Sequence, residues 1–246
     1  MAQRDSAVEI QRRYYTESAE QYGTMHANEG SGDPKVLEMV VSVLRHLGVR
    51  SWLDVGSANG RGLTDFAEAF PGALVCGAEP VAALVKQGVA AGVDERVNLL
   101  QASGEALPFV DGSFDVVSEF SILHHVPNPS AVVKEMMRVA RKAVVIGDSN
   151  RFGQGSMAAR LFKLFLYKAG LWRAFDYLRT GGKYYQISEG DGLFYSYSVF
   201  DNFELVSEWA DRLVVYTDRA SVKSWFHPLL TAQGVMLIAI RDERKS

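Results

Sequence analysis

A glycine-rich turn between an apolar run and a helical pattern limits what this chain can fold into more than any other feature. The turn, Leu53–Gly60, reads LDVGSANG; the apolar run Val49–Leu53 precedes it, and the helical pattern Leu63–Phe70 follows. A strand that ends in such a turn and opens a helix directs backbone N–H groups and the helix N-terminus at a ligand. Because glycine has no Cβ atom, the ligand can approach the backbone closely. The turn therefore predicts a ligand-binding α/β fold.

A second apolar run ends in a carboxylate at a distance that fits the same fold. Leu74–Glu79 is that run, and Glu79 lies 19 residues after Gly60. In a doubly wound sheet, a carboxylate at this position accepts hydrogen bonds from the ribose hydroxyls of a bound nucleoside. A dinucleotide-binding domain of the NAD type is the alternative for this fold. Its G-x-G-x-x-G fingerprint fits the turn GSANGR poorly.

Strand and helix patterns alternate as far as Ile146, as they do in the βαβ units of a parallel sheet. Leu99–Phe109 predicts a strand followed by a short apolar loop, Asp111–Val117 a turn that leads into a fourth strand, and Met136–Ile146 a helix end and a fifth strand. Later strand candidates are Phe203–Val206, Leu213–Tyr216 and Val235–Ile240. We expect Val235–Ile240 to be antiparallel to its neighbour. The predicted fold is α/β: a Rossmann-like, seven-stranded, mostly parallel sheet with helices on both faces and an antiparallel last strand. A helical and aromatic cap is inserted after the fifth strand.

Four motifs, in this order and at this spacing, resemble those of class I S-adenosylmethionine (SAM)-dependent methyltransferases over residues 10–150. They are the glycine turn, Glu79, the segment Ser103–Glu105, and the fourth strand with the His124-His125 pair that follows it. The likeness is to the small-molecule branch that contains ubiquinone/menaquinone-type enzymes and sugar O-methyltransferases. The chain departs from the family at Ala58, where a glycine is usual, and at Ser103, where an acidic residue is frequent.

The resemblance implies SAM as cofactor and S-adenosylhomocysteine (SAH) as its product. The residues that it places at the cofactor are Tyr14, Tyr22, Asp54, Gly56, Ser57, Gly60, Glu79, Pro80, Ser103, Gly104, Glu105, Glu119 and Phe120. It also implies that His124 or His125 acts as the base and that Asp148 orients it. A histidine suits this role because its ordinary pKa lies near neutrality. The alternative is that one ring only packs on the cofactor and caps the next helix.

We expect a single domain over residues 1–246, made of four parts. Residues 1–33 form an N-terminal lid, 34–150 the SAM-binding core, 151–200 an acceptor-binding cap and 201–246 the C-terminal strands. Within the cap, residues 154–180 predict one or two apolar helices, and residues 181–200 predict a loop rich in Gly, Ser and Tyr. Rings with polar tips suit a sugar or polyol. The residues predicted to bind the acceptor are Trp172, Tyr185, Tyr195 and Tyr197.

The first cap helix has an apolar side and a polar side at helical spacing. Phe162 and Phe165 belong to the apolar side, and Arg160, Lys163 and Tyr167 form the polar stripe. The favoured interpretation is a helix that packs its apolar side on the domain and exposes a basic edge to solvent. The alternative is a hydrophobic lid beside an anionic group, such as a phosphate or a membrane surface. Seven Lys or Arg against one Asp or Glu in residues 151–183 leave both possibilities open.

Composition limits the class of function. The net charge of −3 argues against a nucleic-acid binder. One cysteine, Cys76, excludes an internal disulfide and favours a reducing compartment. With no secretory segment at residues 1–5 and no apolar stretch of membrane-spanning length, we expect a cytoplasmic protein, although peripheral membrane contact remains open. No metal site is predicted, because the fourth strand ends in Ser118-Glu119 without the aspartate of a catechol-type triad.

The predicted function is transfer of a methyl group from SAM to a hydroxyl of a small molecule, with a sugar or glycosylated metabolite favoured. Two alternatives stay open. The apolar stretch Leu161–Leu171 suits a lipophilic or lipid-linked acceptor, such as a quinone. A SAM-binding protein without catalysis would carry the same cofactor motifs. The sequence leaves the acceptor, the methylated atom and the oligomeric state undetermined.

Overall fold

The computed structural model describes residues 6–22, 34–188, 192–217 and 229–242, in which the strands form a seven-stranded sheet and a separate hairpin. The sheet strands are β1 (Ser51–Val55), β2 (Leu74–Glu79), β3 (Val97–Gln101), β4 (Phe114–Phe120), β5 (Ala140–Ser149), β8 (Arg212–Tyr216) and β9 (Gly234–Ile240). The hairpin consists of β6 (Tyr185–Ser188) and β7 (Gly192–Tyr195). The helices are α1 (Ala7–Glu17), α2 (Pro34–Leu44), α3 (Leu63–Ala69), α4 (Ala82–Ala90), α5 (Pro129–Val139), α6 (Met157–Lys168), α7 (Trp172–Arg179) and α8 (Phe203–Trp209).

The sheet order is β3-β2-β1-β4-β5-β9-β8. Strands β1 to β5 pair in parallel, and β9 pairs antiparallel with both β5 and β8. This arrangement confirms the predicted sheet and its antiparallel last strand. The strand order reverses between β1 and β4, which is where ligands bind in open α/β sheets.

The central strand β1 is buried on both of its sides, because helices cover both faces of the sheet. Leu53 and Val55 pack into a cluster that includes Met136 of α5. Trp52 points to the other face, where it stacks on Phe66 of α3 with ring centroids 4.3 Å apart. A strand buried in this way reads as a continuous apolar run, which is why β1 was recognisable in the sequence.

Helix starts follow ordinary capping chemistry. Ser6 and Glu9 form a capping box at the start of α1, with the side chain of each accepting from the backbone N–H of the other. Asn128 caps α5, and Pro129 occupies its first turn. The predicted apolar helices of residues 154–180 are two, α6 and α7, and Gly170 separates them with a left-handed φ of 72°.

Two predictions about the C-terminal third are wrong. Phe203–Val206, predicted as a strand, is the first half of α8; a short apolar run does not distinguish a strand from a helix that buries one side, here Val206. Residues 181–200, predicted as a loop, contain the hairpin β6–β7. Helix α1 contacts this hairpin, because the Leu193 N–H donates to Gln11 Oε1 at 2.6 Å.

The favoured orientation of the first cap helix is also wrong. Arg160 donates to the Leu230 carbonyl at 2.8 Å, and Lys163 donates to the carbonyls of Gln154 and Arg151. The polar stripe therefore turns toward the protein, while Phe162 and Phe165 of the apolar side are exposed. The physical reason is that the surface under α6 offers backbone carbonyls, which accept hydrogen bonds from Arg160 and Lys163.

Candidate functional site

A cavity of about 920 Å³ opens at the carboxyl ends of β1, β2, β4 and β5. Helix α1 contributes one wall, and the end of β8 and the start of β9 contribute another. The start of β9 reaches this edge because β9 runs antiparallel to the other strands. The volume lies near the upper end of the range for small-molecule sites, roughly 300–1,000 Å³. The cavity therefore has room for two small ligands beside each other.

The glycine turn forms the floor of the cavity under α1. Gly56 has a φ of 77°, and its N–H donates to the Ala78 carbonyl of β2 at 2.7 Å. A Cβ atom on Gly56 would lie 2.5 Å from Ile122 Cγ2, so the turn after β1 packs directly on the turn after β4. Ala58 adopts a left-handed φ of 50°, a conformation that favours glycine. Alanine at position 58 therefore keeps the shape of the turn, but its backbone is strained.

Glu79 presents acceptor groups to the cavity, which Ser57 also lines. Glu79 Oε1 accepts from the Val81 N–H at 2.8 Å, and Oε2 accepts from the Ala58 N–H at 3.1 Å. Burial raises the pKa of Glu79 to about 7. Each carboxylate oxygen keeps a further lone pair, and the buried Ser57 Oγ has no hydrogen-bond partner among the described residues. These groups suit a ligand that carries neighbouring hydroxyls.

A buried hydrogen-bond chain lies beside the turn. Asp54 Oδ1 accepts from Ser118 Oγ at 2.6 Å, and Ser118 Oγ in turn accepts from Trp52 Nε1 at 2.8 Å. Burial raises the pKa of Asp54 to about 7. The chain fixes the Asp54 carboxyl at the cavity wall, where a cationic ligand group would stabilise its charged form.

Ten of the thirteen residues predicted for the cofactor line this cavity. They are Tyr22, Asp54, Gly56, Ser57, Glu79, Pro80, Ser103, Gly104, Glu105 and Phe120. Gly60 turns toward the core, since a Cβ atom there would lie 2.8 Å from Leu99 Cδ2. Tyr14 packs instead on Gly192 of β7.

Glu119 lies fully buried near the cavity without lining it. Its Oε2 accepts from the Ile122 N–H at 3.2 Å, and its Oε1 has no partner among the described residues. Burial, followed by the charge of Asp148, holds the pKa of Glu119 well above its usual range. Glu119 therefore supports the turn after β4 through its contact with the Ile122 N–H.

Asp148 and His124 form a hydrogen-bonded pair at the edge of the cavity. Asp148 Oδ1 lies 2.7 Å from His124 Nδ1, and Oδ2 accepts from the backbone N–H groups of Leu123 and His124 at 2.8 and 3.2 Å. Burial raises the pKa of Asp148, but the charge and hydrogen bonds of His124 outweigh it and bring the pKa below its usual range. The carboxylate assigns the Nδ1–H tautomer to His124, which makes Nε2 the basic nitrogen.

His125 has different partners from His124. Its Nδ1 lies 2.6 Å from the Leu193 carbonyl and donates to it, and its Nε2 lies 3.4 Å from the Tyr15 hydroxyl. Gln11 lies at the same junction, because Oε1 accepts from the Leu193 N–H and Nε2 lies 3.1 Å from His125 Nδ1. His125 thus ties α1 and the β6–β7 hairpin to the turn after β4.

The four rings predicted to bind the acceptor lie away from the cavity lining. Tyr197 is buried and its hydroxyl accepts from Asn202 Nδ2 at 2.8 Å. Trp172 covers the buried Arg151 guanidinium, 5.0 Å from the ring centroid. Tyr185 and Tyr195 face each other across the hairpin. Among the described residues of 151–200, Gln154 alone lines the cavity.

Two groups of lining residues were missed in the sequence. Val8, Gln11, Arg12 and Tyr15 form one side of α1, and their spacing of three and four residues is a signal that marks them as one face. Tyr216 and residues 233–236 line the opposite wall. The only sequence signal for this second group is the predicted antiparallel direction of the last strand, which brings the start of that strand to the cavity.

Comparison with known proteins gives matches to methyltransferases. A family described as a methyltransferase domain matches residues 53–146. An uncharacterized methyltransferase of Mycobacterium leprae (strain Br4923) is 31% identical over 145 residues, which cover 59% of this chain and 53% of the relative. One from Mycobacterium sp. (strain KMS) is 35% identical over 159 residues, covering 64% of this chain and 60% of the relative. The chain thus matches little more than half the length of these relatives.

Solved structures share the fold at low identity. The Burkholderia thailandensis 1,6-didemethyltoxoflavin-N1-methyltransferase, with 1,6-didemethyltoxoflavin and SAH bound, is 15% identical with a TM-score of 0.60, covering 99% of this chain and 93% of its own. The magnesium protoporphyrin IX methyltransferase of Synechocystis PCC 6803, with SAH bound, is 15% identical with a TM-score of 0.59. The match covers 96% of this chain and 100% of that structure's chain. Residues 53–146 therefore match a methyltransferase domain, and the chain has the fold that class I SAM-dependent methyltransferases share.

Proposed function

We propose that this protein binds SAM in the cavity and transfers its methyl group to a hydroxyl of a small acceptor, leaving SAH. A sugar or glycosylated metabolite is the favoured acceptor. The observation that carries the proposal is the buried Asp148, which holds the His124 imidazole at the wall of the cavity that the glycine turn and Glu79 also line.

The donors and acceptors of the cavity fit SAM. Glu79 suits the ribose diol, and Asp54 suits the ammonium group of the methionine part. Gly56 leaves the backbone accessible at the turn, and Ser57 supplies a buried hydroxyl that lacks a protein partner. The backbone and side chains of Ser103–Glu105 line the adjoining wall, which suits the adenine ring.

His124 is the base in this proposal. When bound, SAM supplies a methyl group that a sulfonium already activates, so the chain contributes positioning and proton removal. His124 Nε2 takes the proton of the acceptor hydroxyl, and Asp148 holds the ring and stabilises the imidazolium that results. His125 is a positioning residue, which joins α1 to the hairpin and so helps to exclude water from the cavity.

A lipophilic acceptor is the second candidate. The exposed apolar side of α6, which carries Phe162 and Phe165, favours it. The same residues would perform the chemistry, because the two candidates differ only in what fills the part of the cavity beside Gln154 and Tyr216.

The test combines calorimetry with turnover. SAH should bind the wild type, and methyl groups labelled in SAM should appear on a component of a metabolite extract. His124→Ala should lower turnover by roughly 10²–10⁴-fold, leave SAH affinity nearly unchanged, and remove the acidic limb of the pH–rate profile. His46→Ala, an exposed histidine far from the cavity in sequence and fold, is the matched control.

Three results would contradict the proposal. Absence of SAH binding would exclude the cofactor. Binding without transfer to any component would leave a non-catalytic SAM-binding protein. Normal turnover and pH profile in His124→Ala would exclude base catalysis by this residue.

A further inference from the structure

Apolar side chains that face solvent are concentrated in one part of the molecule. Of the thirteen large apolar side chains exposed among the described residues, eight lie within residues 157–187. Seven of these belong to α6, α7 and the turn between them. Six of the seven, all except Tyr177, are named here the apolar face: Met157, Leu161, Phe162, Phe165, Leu171 and Leu178. Phe165 is 64% exposed and Leu178 77% exposed, so neither packs on the domain. A concentration of this kind marks an interaction surface.

The apolar face is a fixed feature of the fold, because the opposite side of α6 is anchored by polar contacts. Lys163 and Arg160 donate to main-chain carbonyls, and the Tyr167 ring packs on Phe152 with centroids 5.3 Å apart. The Phe162 ring meets Phe175 of α7 edge-on, with centroids 5.6 Å apart, so the two helices are packed together. Rotation of α6 to bury its phenyl rings would expose Tyr167 and break these hydrogen bonds.

The exposed charge near the apolar face is positive. Residues 151–188 carry seven Lys or Arg against one acidic residue, Asp176; Arg151, Arg160 and Lys163 turn toward the protein, and the other four are exposed. Asp176 is already paired with Arg179 at 2.6 Å. Lys168, Arg173 and Lys183 are exposed. A second copy of this chain would bring the same positive charge to the face, so the surface is complementary to an anionic partner instead.

The two helices have the dimensions of an interfacial anchor. At 1.5 Å per residue, α6 and α7 are roughly 18 and 12 Å long, well below the roughly 30 Å of a bilayer core. No helix in the described ranges has the length and apolar character needed to cross a membrane. Short helices with aromatic and leucine side chains on the outer side and cations at the edges lie in the plane of a lipid surface.

We propose that α6 and α7 dock this protein onto the surface of an anionic lipid bilayer. The apolar face enters the boundary between headgroups and acyl chains, and Lys168, Arg173 and Lys183 contact anionic headgroups. Gln154, three residues before Met157, lines the cavity, so docking brings one side of the cavity close to the lipid surface.

Co-sedimentation of the full chain with vesicles tests the proposal without an acceptor. Phosphatidylcholine vesicles that contain roughly 30% phosphatidylserine should bind the protein, and vesicles of phosphatidylcholine alone should bind it at least roughly tenfold more weakly. The double variant Phe162→Ser/Phe165→Ser should lose roughly tenfold or more of the partitioning. Its matched control is Val89→Ser/Val110→Ser, which removes two exposed apolar side chains elsewhere on the molecule.

A charge-reversal pair separates the electrostatic contribution. Lys168→Glu/Lys183→Glu should weaken binding to anionic vesicles by roughly tenfold or more. Lys86→Glu/Lys134→Glu makes the same change in net charge at exposed sites on α4 and α5 and should bind as the wild type does. All four variants should keep the wild-type SAH affinity, because none of the altered side chains lines the cavity. Phe162→Ser/Phe165→Ser also loses the contact of Phe162 with Phe175, so its melting temperature should fall slightly, and its binding is measured below the temperature at which it unfolds.

Three outcomes would overturn the proposal. The first is a wild-type protein that does not co-sediment with anionic vesicles. The second is equal loss of binding in the face variants and their controls. The third is a vesicle-independent dimer, seen by analytical ultracentrifugation, that Phe162→Ser/Phe165→Ser dissociates, because the face would then be an interface between two copies.

Discussion

Replacement of Asp148 by asparagine should destabilise the folded protein, because four N–H groups converge on this carboxylate. Oδ2 accepts from the backbone of Leu123 and His124, and Oδ1 accepts from His124 Nδ1 and from the Ser149 N–H. Asparagine keeps the shape of the side chain, but its NH₂ group has no acceptor. In one orientation of the amide, its NH₂ group faces the N–H groups of Leu123 and His124. In the other, it faces the Ser149 N–H and His124 Nδ1, which must give up its proton to accept, so both charged hydrogen bonds of Oδ1 are lost.

The magnitude follows from these contacts. A hydrogen bond to a charged group contributes about 1.5–3 kcal/mol, so two of them contribute about 3–6 kcal/mol. Burial of an amide costs less desolvation free energy than burial of a carboxylate, and this difference offsets part of the loss. The net destabilisation should be about 2–4 kcal/mol. For a chain of this size, each kcal/mol lowers the melting temperature by roughly 2–4 °C. Asp148→Asn should therefore melt roughly 5–15 °C below the wild type.

The pH dependence has a definite sign. The folded-state pKa of Asp148 lies below its ordinary value of 3.8, so its stabilisation is present above that value and is lost as the pH falls through the folded-state pKa. Urea unfolding at several pH values should show the largest difference between wild type and Asp148→Asn at neutral pH and a smaller one below roughly pH 4.

Imidazole ¹⁵N spectra complete the test, because the variant should change the tautomer of His124. Asp115→Asn is the control: Asp115 is equally buried but pairs with Arg141, so this variant should lose stability and leave the His124 signals unchanged. If Asp148→Asn is as stable as the wild type and its His124 signals are unchanged, then Asp148 neither stabilises the fold nor fixes the His124 tautomer.

Two further predictions concern the cofactor side of the cavity. Since burial raises the pKa of Glu79 to about 7 and the ribose contact requires the carboxylate, protonation of Glu79 alone should lower SAH affinity, measured by calorimetry, roughly tenfold from pH 8 to pH 6. Burial raises the pKa of Asp54 to about 7 as well, so Glu79→Gln should lose only the part of the slope that Glu79 contributes, and an unchanged slope would exclude this role. Gly56→Ala should lower unfolding stability by about 1–3 kcal/mol, because it adds left-handed strain and a 2.5 Å approach to Ile122. Gly72→Ala, at a φ of 84° with nothing within 4 Å, carries the strain alone, and equal losses in the two variants would exclude a packing role for Gly56.

Much of the cofactor side of the cavity was predictable from local sequence. The turn at Gly56 and the carboxylate at Glu79 each follow a buried strand, and the carboxyl ends of parallel strands share one edge of the sheet. Pairing of Val55 with Ala78 and with Glu119 brings those ends together. Strand order and position along the chain therefore place these residues without knowledge of any side-chain contact.

The difference between the two histidines was decided only by tertiary structure. His124 and His125 are neighbours in one short turn, so composition and spacing treat them alike. Their partners are Asp148 for the first and the Leu193 carbonyl, 68 residues away, for the second. Contacts between residues so far apart fix the tautomer and direction of each ring, and no local pattern contains them.

The orientation of α6 shows the same limit. Its periodicity separates Phe162 and Phe165 from Arg160 and Lys163, and the sequence by itself determined that the helix has two different sides. Which side meets the protein depends on what the neighbouring surface offers. Here that surface offers backbone carbonyls, which accept hydrogen bonds from cations and not from phenyl rings. The sequence determined the two sides of the helix, and the surrounding polar backbone decided which of them faces solvent.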